Sequence, residues 1–225
     1  MSTLAAKATI GALQSLVILA LLLFVPAQTL DYPQAWIYLG IFASAVAFIT
    51  VYLARKDPAL LARRLKAGAT AETRPFQKIV QIVAACGFMA IFLVAALDHR
   101  LGWSQVPVFV QVLGGVLTVV GFFVVFVAFR DNTFASGTIG TWENQQVVSS
   151  GIYGRIRHPV YTGGLLMLCG TPLELGSFWA IVPVAAVAVL IVLRLLDEER
   201  FLKTDLSGYT EYCGRVRSRL IPYVW

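Results

Sequence analysis

Apolar positions along this chain come in long blocks rather than at the short periods of a soluble fold. Four apolar runs, at about residues 10–26, 36–53, 79–97 and 108–129, each approach the roughly 20 residues that an α-helix needs to cross a bilayer. A fifth apolar region, 160–196, is interrupted at 171–177 by Thr-Pro-Leu-Glu-Leu-Gly-Ser. The interruption predicts a short helix before it and a longer one beginning near Phe178. The fold class expected is all-α: a polytopic membrane helical bundle with five to six membrane-inserted helices, including a short C-terminal helical hairpin.

Basic residues between the runs set the expected orientation, because lysine and arginine concentrate in cytoplasmic loops. Residues 55–78 carry seven of them, the stretch from Arg194 onward carries six, and 130–158 carries three. By contrast, 27–35 has none and 98–107 has only Arg100. Both termini and the 55–78 and 130–158 loops are therefore expected on the cytoplasmic side. The chain is cytoplasmic at His158 and again at Asp197, so the region between must go out and return as a hairpin. Its first arm is short for a full crossing. One membrane domain is expected over 1–225, with four transmembrane helices in 1–129 and a cofactor-binding loop, hairpin and cytoplasmic tail in 130–225.

Composition agrees with this class. Hydrophobic residues make up 58% of the chain and charged residues only 13%, whereas a soluble domain sits near one quarter charged. The net charge of +6 follows the membrane topology and does not point to nucleic acid. The first apolar run has only Lys7 before it and no convincing cleavage site, so it is read as a retained helix. Cys86, Cys169 and Cys213 are too scattered for a disulfide framework or a metal site, and no metal is expected.

The chemistry-bearing residues collect at the two ends of the hairpin. Pro159 suits the first position of a helix and disfavours helical geometry at the residue before it, which places His158 at the cap. Free N–H groups and the positive dipole end of a helix start favour an anion. Arg155 and Arg157 lie just outside, Tyr161 is in the first turn, and Gly163-Gly164 allow close approach of a ligand or another backbone. At the other end, Glu198 and Glu199 form a carboxylate pair able to accept hydrogen bonds from a ribose diol, as an acidic residue does in dinucleotide-binding folds. Plainer readings stay open: interfacial anchors for the arginines, and a solvated helix end with Glu199 paired to Lys203. The tail, with Tyr209, Tyr212, Arg215, Arg217 and Arg219 before Leu-Ile-Pro-Tyr-Val-Trp, reads as a membrane anchor or as a lid over the pocket. Asn132, in a polar stretch just after a span, is a weaker candidate for ligand contact.

Residues 148–225 resemble the isoprenylcysteine carboxyl methyltransferase family in its compact prokaryotic form. The resemblance rests on Ser-Gly-Ile-Tyr-Gly-Arg-Ile-Arg-His-Pro-Val-Tyr-Thr-Gly at 150–163, Glu-Glu-Arg-Phe-Leu at 198–202, and Tyr209-x-x-Tyr212 with the Arg-Leu-Ile-Pro ending. It implies an S-adenosylmethionine site at the cytoplasmic interface, with Tyr153, Arg157, His158, Pro159, Tyr161, Gly163, Glu198 and Glu199 as cofactor contacts. Arg157 and the helix start at His158 would hold the cofactor's carboxylate, and Arg217 or Arg130 would position an anionic acceptor, which makes Arg157 and Arg217 the catalytic candidates. The acceptor would be lipophilic, a prenylated or other apolar molecule entering from the bilayer, and O-methylation of a carboxylate is the reaction implied. Membrane sterol reductases share part of the pattern: Tyr212-Cys213 and Ile221-Pro222-Tyr223 resemble elements of those NADPH enzymes. A lipid reductase is therefore the alternative. A transporter would be expected to carry ionisable groups near the bilayer midplane, and the runs carry essentially none.

The orientation is open to a direct test. Cysteines introduced at Ser104 and at Thr70 should react with an impermeant thiol reagent from opposite sides of the membrane. Labelling of both from one side would overturn the assignment.

Overall fold

The computed structural model describes residues 3–225, and among these every regular element is helical. In chain order they are α1 (Thr3–Ala27), α2 (Pro33–Lys56), α3 (Pro58–Leu65), α4 (Pro75–Leu101), α5 (Val108–Asp131), a 3-10 turn (Gly151–Gly154), α6 (Pro159–Glu174), α7 (Ile181–Asp205) and α8 (Tyr209–Arg215). Helices α1, α2, α4 and α5 are long and apolar enough to cross a membrane. Proline opens α2, α3, α4 and α6, where its missing N–H costs nothing and its fixed φ suits the first turn. Asp57 caps α3 by accepting from Leu60 N at 2.9 Å. Gly102 ends α4 with a φ of +67°, the left-handed geometry that glycine adopts without a Cβ penalty.

Ile10, Val17 and Leu21 on α1, and Val112, Val116 and Phe123 on α5, face outward, as expected of surfaces in lipid. The largest buried cluster draws on Leu19 and Leu23, Tyr32 and Tyr38, Phe92 and Ala95, and Val184 and Val187. It joins α1, α2, α4 and α7. Hydrocarbon solvent supplies little hydrophobic drive between helices, so close backbone contact through small residues takes its place. Helices α5 and α6 show this most clearly. Gly114 lies against Gly170 and Gly121 against Gly163, in antiparallel register. A Cβ on Gly121 would stand 2.6 Å from the Gly163 carbonyl oxygen, and one on Gly163 would stand 2.6 Å from that of Gly121.

This seam fixes the hairpin formed by α6 and α7. The 16 residues of α6 rise about 24 Å, short of the roughly 30 Å hydrocarbon thickness. Its turn is held to the rest of the bundle by polar contacts. Asp98 of α4 accepts from Ser104 N and Ser104 Oγ, both at 2.6 Å, and from Ser177 Oγ. Tyr32 OH donates to the Leu175 carbonyl at 2.7 Å. Helix α6 runs to Glu174, past the Thr171-Pro172 break expected from sequence, and α7 starts at Ile181 rather than near Phe178. Residues 178–180 form a tight turn, with Ile181 N donating to Phe178 O and Val182 N to Trp179 O, each at 3.1 Å. Ser177 Oγ and Ser104 Oγ accept from Ala180 N and Phe178 N, each at 3.1 Å. Helix α7 then continues past its apolar stretch to Asp205, so Glu198 and Glu199 stand on the helix itself.

The seam predicts a strong effect of size. Gly121→Leu should force α5 and α6 apart and destabilise the protein by about 1–3 kcal/mol, read as a lower unfolding temperature in detergent. Gly164→Ala, with nothing within 4 Å of its Cβ position, should leave that temperature unchanged.

Candidate functional site

Beside the start of α6, one buried carboxylate gathers three basic side chains. Glu199 Oε1 accepts from Arg157 Nε at 2.8 Å and lies 3.1 Å from His158 Nε2, while Oε2 accepts from Arg219 Nε at 3.0 Å. Arg157, His158 and Glu199 are all buried. Burial alone would raise the Glu199 carboxyl. The His158 and Arg219 hydrogen bonds and the nearby positive charge outweigh it and hold the group down at about 2. Arg157 Nη1 also donates to the Val216 carbonyl at 3.0 Å and more weakly to that of Cys213 at 3.4 Å. The tail runs alongside: Arg157 N donates to Ser218 O and His158 N to Arg219 O, each at 3.0 Å, and Thr162 Oγ1 donates to Leu220 O at 2.8 Å. One carboxylate thus ties together the loop before α6, the end of α7 and the C-terminal tail.

Next to this clasp is a cavity of 310 Å³. The start of α6 supplies Pro159, Val160 and Tyr161 to its wall, α7 supplies Arg194, Glu198 and Leu202, and α8 supplies Tyr209 and Tyr212. The loop between α5 and the 3-10 turn closes another side with Asn132, Phe134, Gln145 and Gln146. Tyr161 OH donates to Glu198 Oε2 at 2.6 Å. The Tyr209 hydroxyl is buried with no hydrogen-bond partner. Burial and the nearby Glu199 and Glu198 charges push its ionisation upward, so it stays a neutral donor. An unpaired buried hydroxyl on a cavity wall costs free energy until a ligand or water satisfies it.

The structure separates the candidate residues into two groups. Tyr153, Arg157, His158, Pro159, Tyr161 and Glu198 line the cavity, as does Asn132. His158 caps α6 with Pro159 at its first position, as the sequence implies. Gly163, Glu199 and Arg217 lie outside the lining. Gly163 packs against the α5 backbone, and the oxygens of Glu199 are taken by the clasp. Arg217 is exposed, and Arg130 is exposed and paired with Asp131 at 2.9 Å. The tail beyond Tyr212 does not reach the lining, so it braces the wall from behind.

Two cavity residues carry no motif that sequence reading could have used. Arg194 comes from α7, where Nη1 donates to Gln77 Oε1 at 2.9 Å and Nη2 to the Gly137 carbonyl at 2.9 Å, with Glu72 at 3.5 Å. Arg64 comes from α3, far earlier in the chain, and its Nη1 donates to the Ser136 carbonyl at 3.1 Å. The only sequence signal for either was basic charge, which the positive-inside pattern already accounts for.

Comparison with known proteins follows the same division of the chain. Residues 109–206 match the model of the family described as Phospholipid methyltransferase. This covers α5, the cavity loop and the hairpin. Over this segment the chain is similar to that family. Protein-S-isoprenylcysteine O-methyltransferase B of Arabidopsis thaliana is 34% identical over 89 residues, which is 36% of this chain and 42% of that protein. Delta(14)-sterol reductase TM7SF2 of Mus musculus is 35% identical over 94 residues, 39% of this chain and 22% of that protein. The matched stretches thus span less than half the length of either relative.

The clasp makes a prediction about acid. Glu199 in the folded protein titrates near 2, below the value of about 4.3 for an unfolded glutamate. Its contribution to stability is therefore complete above about pH 4.5 and lost as the pH falls toward 2. Glu199→Gln should be clearly less stable than wild type at pH 7, because it leaves buried cations uncompensated. The gap in unfolding midpoint between the two should close as the pH drops through that window. A gap independent of pH would show that the Glu199 charge has no part in it.

Proposed function

We propose that the cavity binds S-adenosylmethionine and that the protein transfers its methyl group to a lipophilic acceptor drawn from the bilayer. The observation that carries this reading is the cavity itself. A carboxylate, Glu198, lines the space at the start of α6, within the segment that matches the methyltransferase family. Tyr209, whose buried hydroxyl has no partner, forms part of the same wall just beyond that segment. When bound, S-adenosylmethionine supplies a methyl group activated on a sulfonium. Glu198, oriented by the Tyr161 hydroxyl, would accept hydrogen bonds from the ribose diol. The start of α6 would hold the amino-acid carboxylate, since its dipole and free N–H groups favour an anion. Tyr209 would satisfy its hydroxyl on the same ligand.

Arg157 and His158 take part through the wall that they build. With Arg157 bonded to Glu199 and to the tail carbonyls, its guanidinium serves to fix the helix start and not to grip a ligand in bidentate fashion. The chain's remaining contribution is alignment and exclusion of water, by Phe134 on one side and Leu202 and Leu206 on the other. Alignment alone is worth several kcal/mol in a bimolecular displacement. A carboxylate acceptor attacks without a general base, so O-methylation of an isoprenylcysteine-like or other apolar carboxylate is the reaction we favour. The site would face the cytoplasm, as would both termini, following the basic loops. The alternative is an NADPH-dependent lipid reductase, and it rests on the similarity to the sterol reductase.

Calorimetric titration decides between the two. The purified protein should bind S-adenosylmethionine and its demethylated product and should not bind NADPH. Glu198→Gln should weaken that binding ten- to a hundredfold, about 1.5–3 kcal/mol for lost charge-assisted hydrogen bonds. Binding of NADPH alone would establish the reductase.

A further inference from the structure

Arg64 differs from the other arginines around the cavity in its electrostatic surroundings. Arg157 and Arg219 share Glu199, Arg74 has Asp197 at 3.1 Å, and Arg194 has Glu72 at 3.5 Å. Among the described residues no carboxylate lies within 4 Å of Arg64. Its one hydrogen bond to a carbonyl, that of Ser136, uses a single donor of the five that a guanidinium carries. Tyr161, Tyr153, Arg194 and, from beyond ion-pair distance, Glu198 share its electrostatic surroundings, and all five side chains line the cavity. The guanidinium also rests on the Phe129 ring, 4.8 Å from its centroid.

Phe129 stands one helical turn from the lining of a second space. Between α2 and α5 runs an apolar groove of 580 Å³, with Gly40, Ser44 and Phe48 on one wall and Val119, Phe122 and Phe126 on the other. The groove residues of α5 recur every three or four positions, so they form one face, and Phe129 is the next residue on that face. Three residues of helix advance about 4.5 Å, so the last groove residue and the ring beneath Arg64 are neighbours. Tyr52 packs edge-on against Phe126 at 5.0 Å. An alkyl chain lying in the groove with its head toward α3 would bring that head to a guanidinium that has no carboxylate within 4 Å.

We propose that Arg64 and the α2–α5 groove together form a binding site for an amphiphile with an anionic head, a carboxylate or a phosphate. Calling this occupant the methyl acceptor rests on the methyltransfer reading; its binding does not. The groove accepts the apolar tail, and the guanidinium selects for negative charge at the point where the tail reaches the cavity. Selection would then lie in α3, outside the segment shared with the methyltransferase family.

The test uses the full chain in phosphatidylcholine nanodiscs and a diazirine-bearing hexadecanoate as photoprobe. Cross-links should map to peptides of α2 and α5. Excess hexadecanoate or hexadecyl phosphate should suppress them, and methyl hexadecanoate should not. Arg64→Gln should lower the yield about tenfold, the scale of losing a charge-assisted contact. Arg64→Lys should recover part of it, and Gly40→Phe should lower it by filling the groove. Affinity for S-adenosylhomocysteine should be unchanged in Gly40→Phe, which lies outside the cavity lining, and this shows that filling the groove leaves the cavity intact. Suppression by only one of the two anions supports the site and identifies its head group. Equal competition by the methyl ester, or wild-type labelling of Arg64→Gln, would overturn the proposal. Labelling that persists in a protein unable to bind S-adenosylmethionine would remove the methyltransfer reading and leave this site standing.

Discussion

The carboxylate of Glu199 is the point on which the cavity end of the molecule is organised. Taking an ion out of water costs several kcal/mol unless partners replace its hydration, and Glu199 is buried with both oxygens bonded. Its partners come from two other parts of the chain: Arg157 and His158 before α6, and Arg219 in the tail. Once those cations are committed, the position of the α6 start is set, and with it the cavity wall made by Pro159, Val160 and Tyr161. The backbone bonds from Arg157 and His158 to Ser218 and Arg219 extend the same constraint along the tail. Removing the Glu199 charge would leave Arg157 buried without a carboxylate partner, so the arrangement tolerates that loss poorly whatever its net contribution.

The membrane half of the structure solves a different problem. Apolar side chains there gain little by leaving lipid for protein, so helix pairing relies on shape. The glycines of α5 and α6 let two backbones touch, and this seam holds a hairpin whose first arm is too short to span the bilayer. Asp98, Ser104, Ser177 and Tyr32 anchor the turn from the far side. The short arm and the anchored turn keep the start of α6 level with α3, the α5–α6 loop and the end of α7. Those elements are the walls of the cavity.

Two adjacent carboxylates therefore end with different tasks because of their helical phase. Successive residues on a helix point about 100° apart, so Glu198 faces the cavity and bonds Tyr161, while Glu199 faces the tail and its basic partners. A similar division separates the two halves of the chain. The family resemblance lies in the second half, which holds most of the cavity, whereas Arg64 and the α2 wall of the groove come from the first.

Much of this was legible in the chain alone. Run lengths of apolar residues identify the four long helices and the interrupted hairpin, because the cost of unpaired backbone in lipid leaves helices as the only economical spans. Pro159 places His158 at a helix cap, and the Arg-His-Pro-x-Tyr and Glu-Glu elements mark the family and the cavity's neighbourhood. Three things depended on tertiary structure. The different roles of Glu198 and Glu199 follow from which neighbour each meets. Arg64 and Arg194 become cavity residues only because α3 and α7 converge, and their charge alone reads as topology. The glycine register between α5 and α6 exists only in the packed pair. Local patterns report solvent and backbone preferences, which act over a few residues. Contacts between residues forty or more positions apart depend on the geometry with which the helices meet.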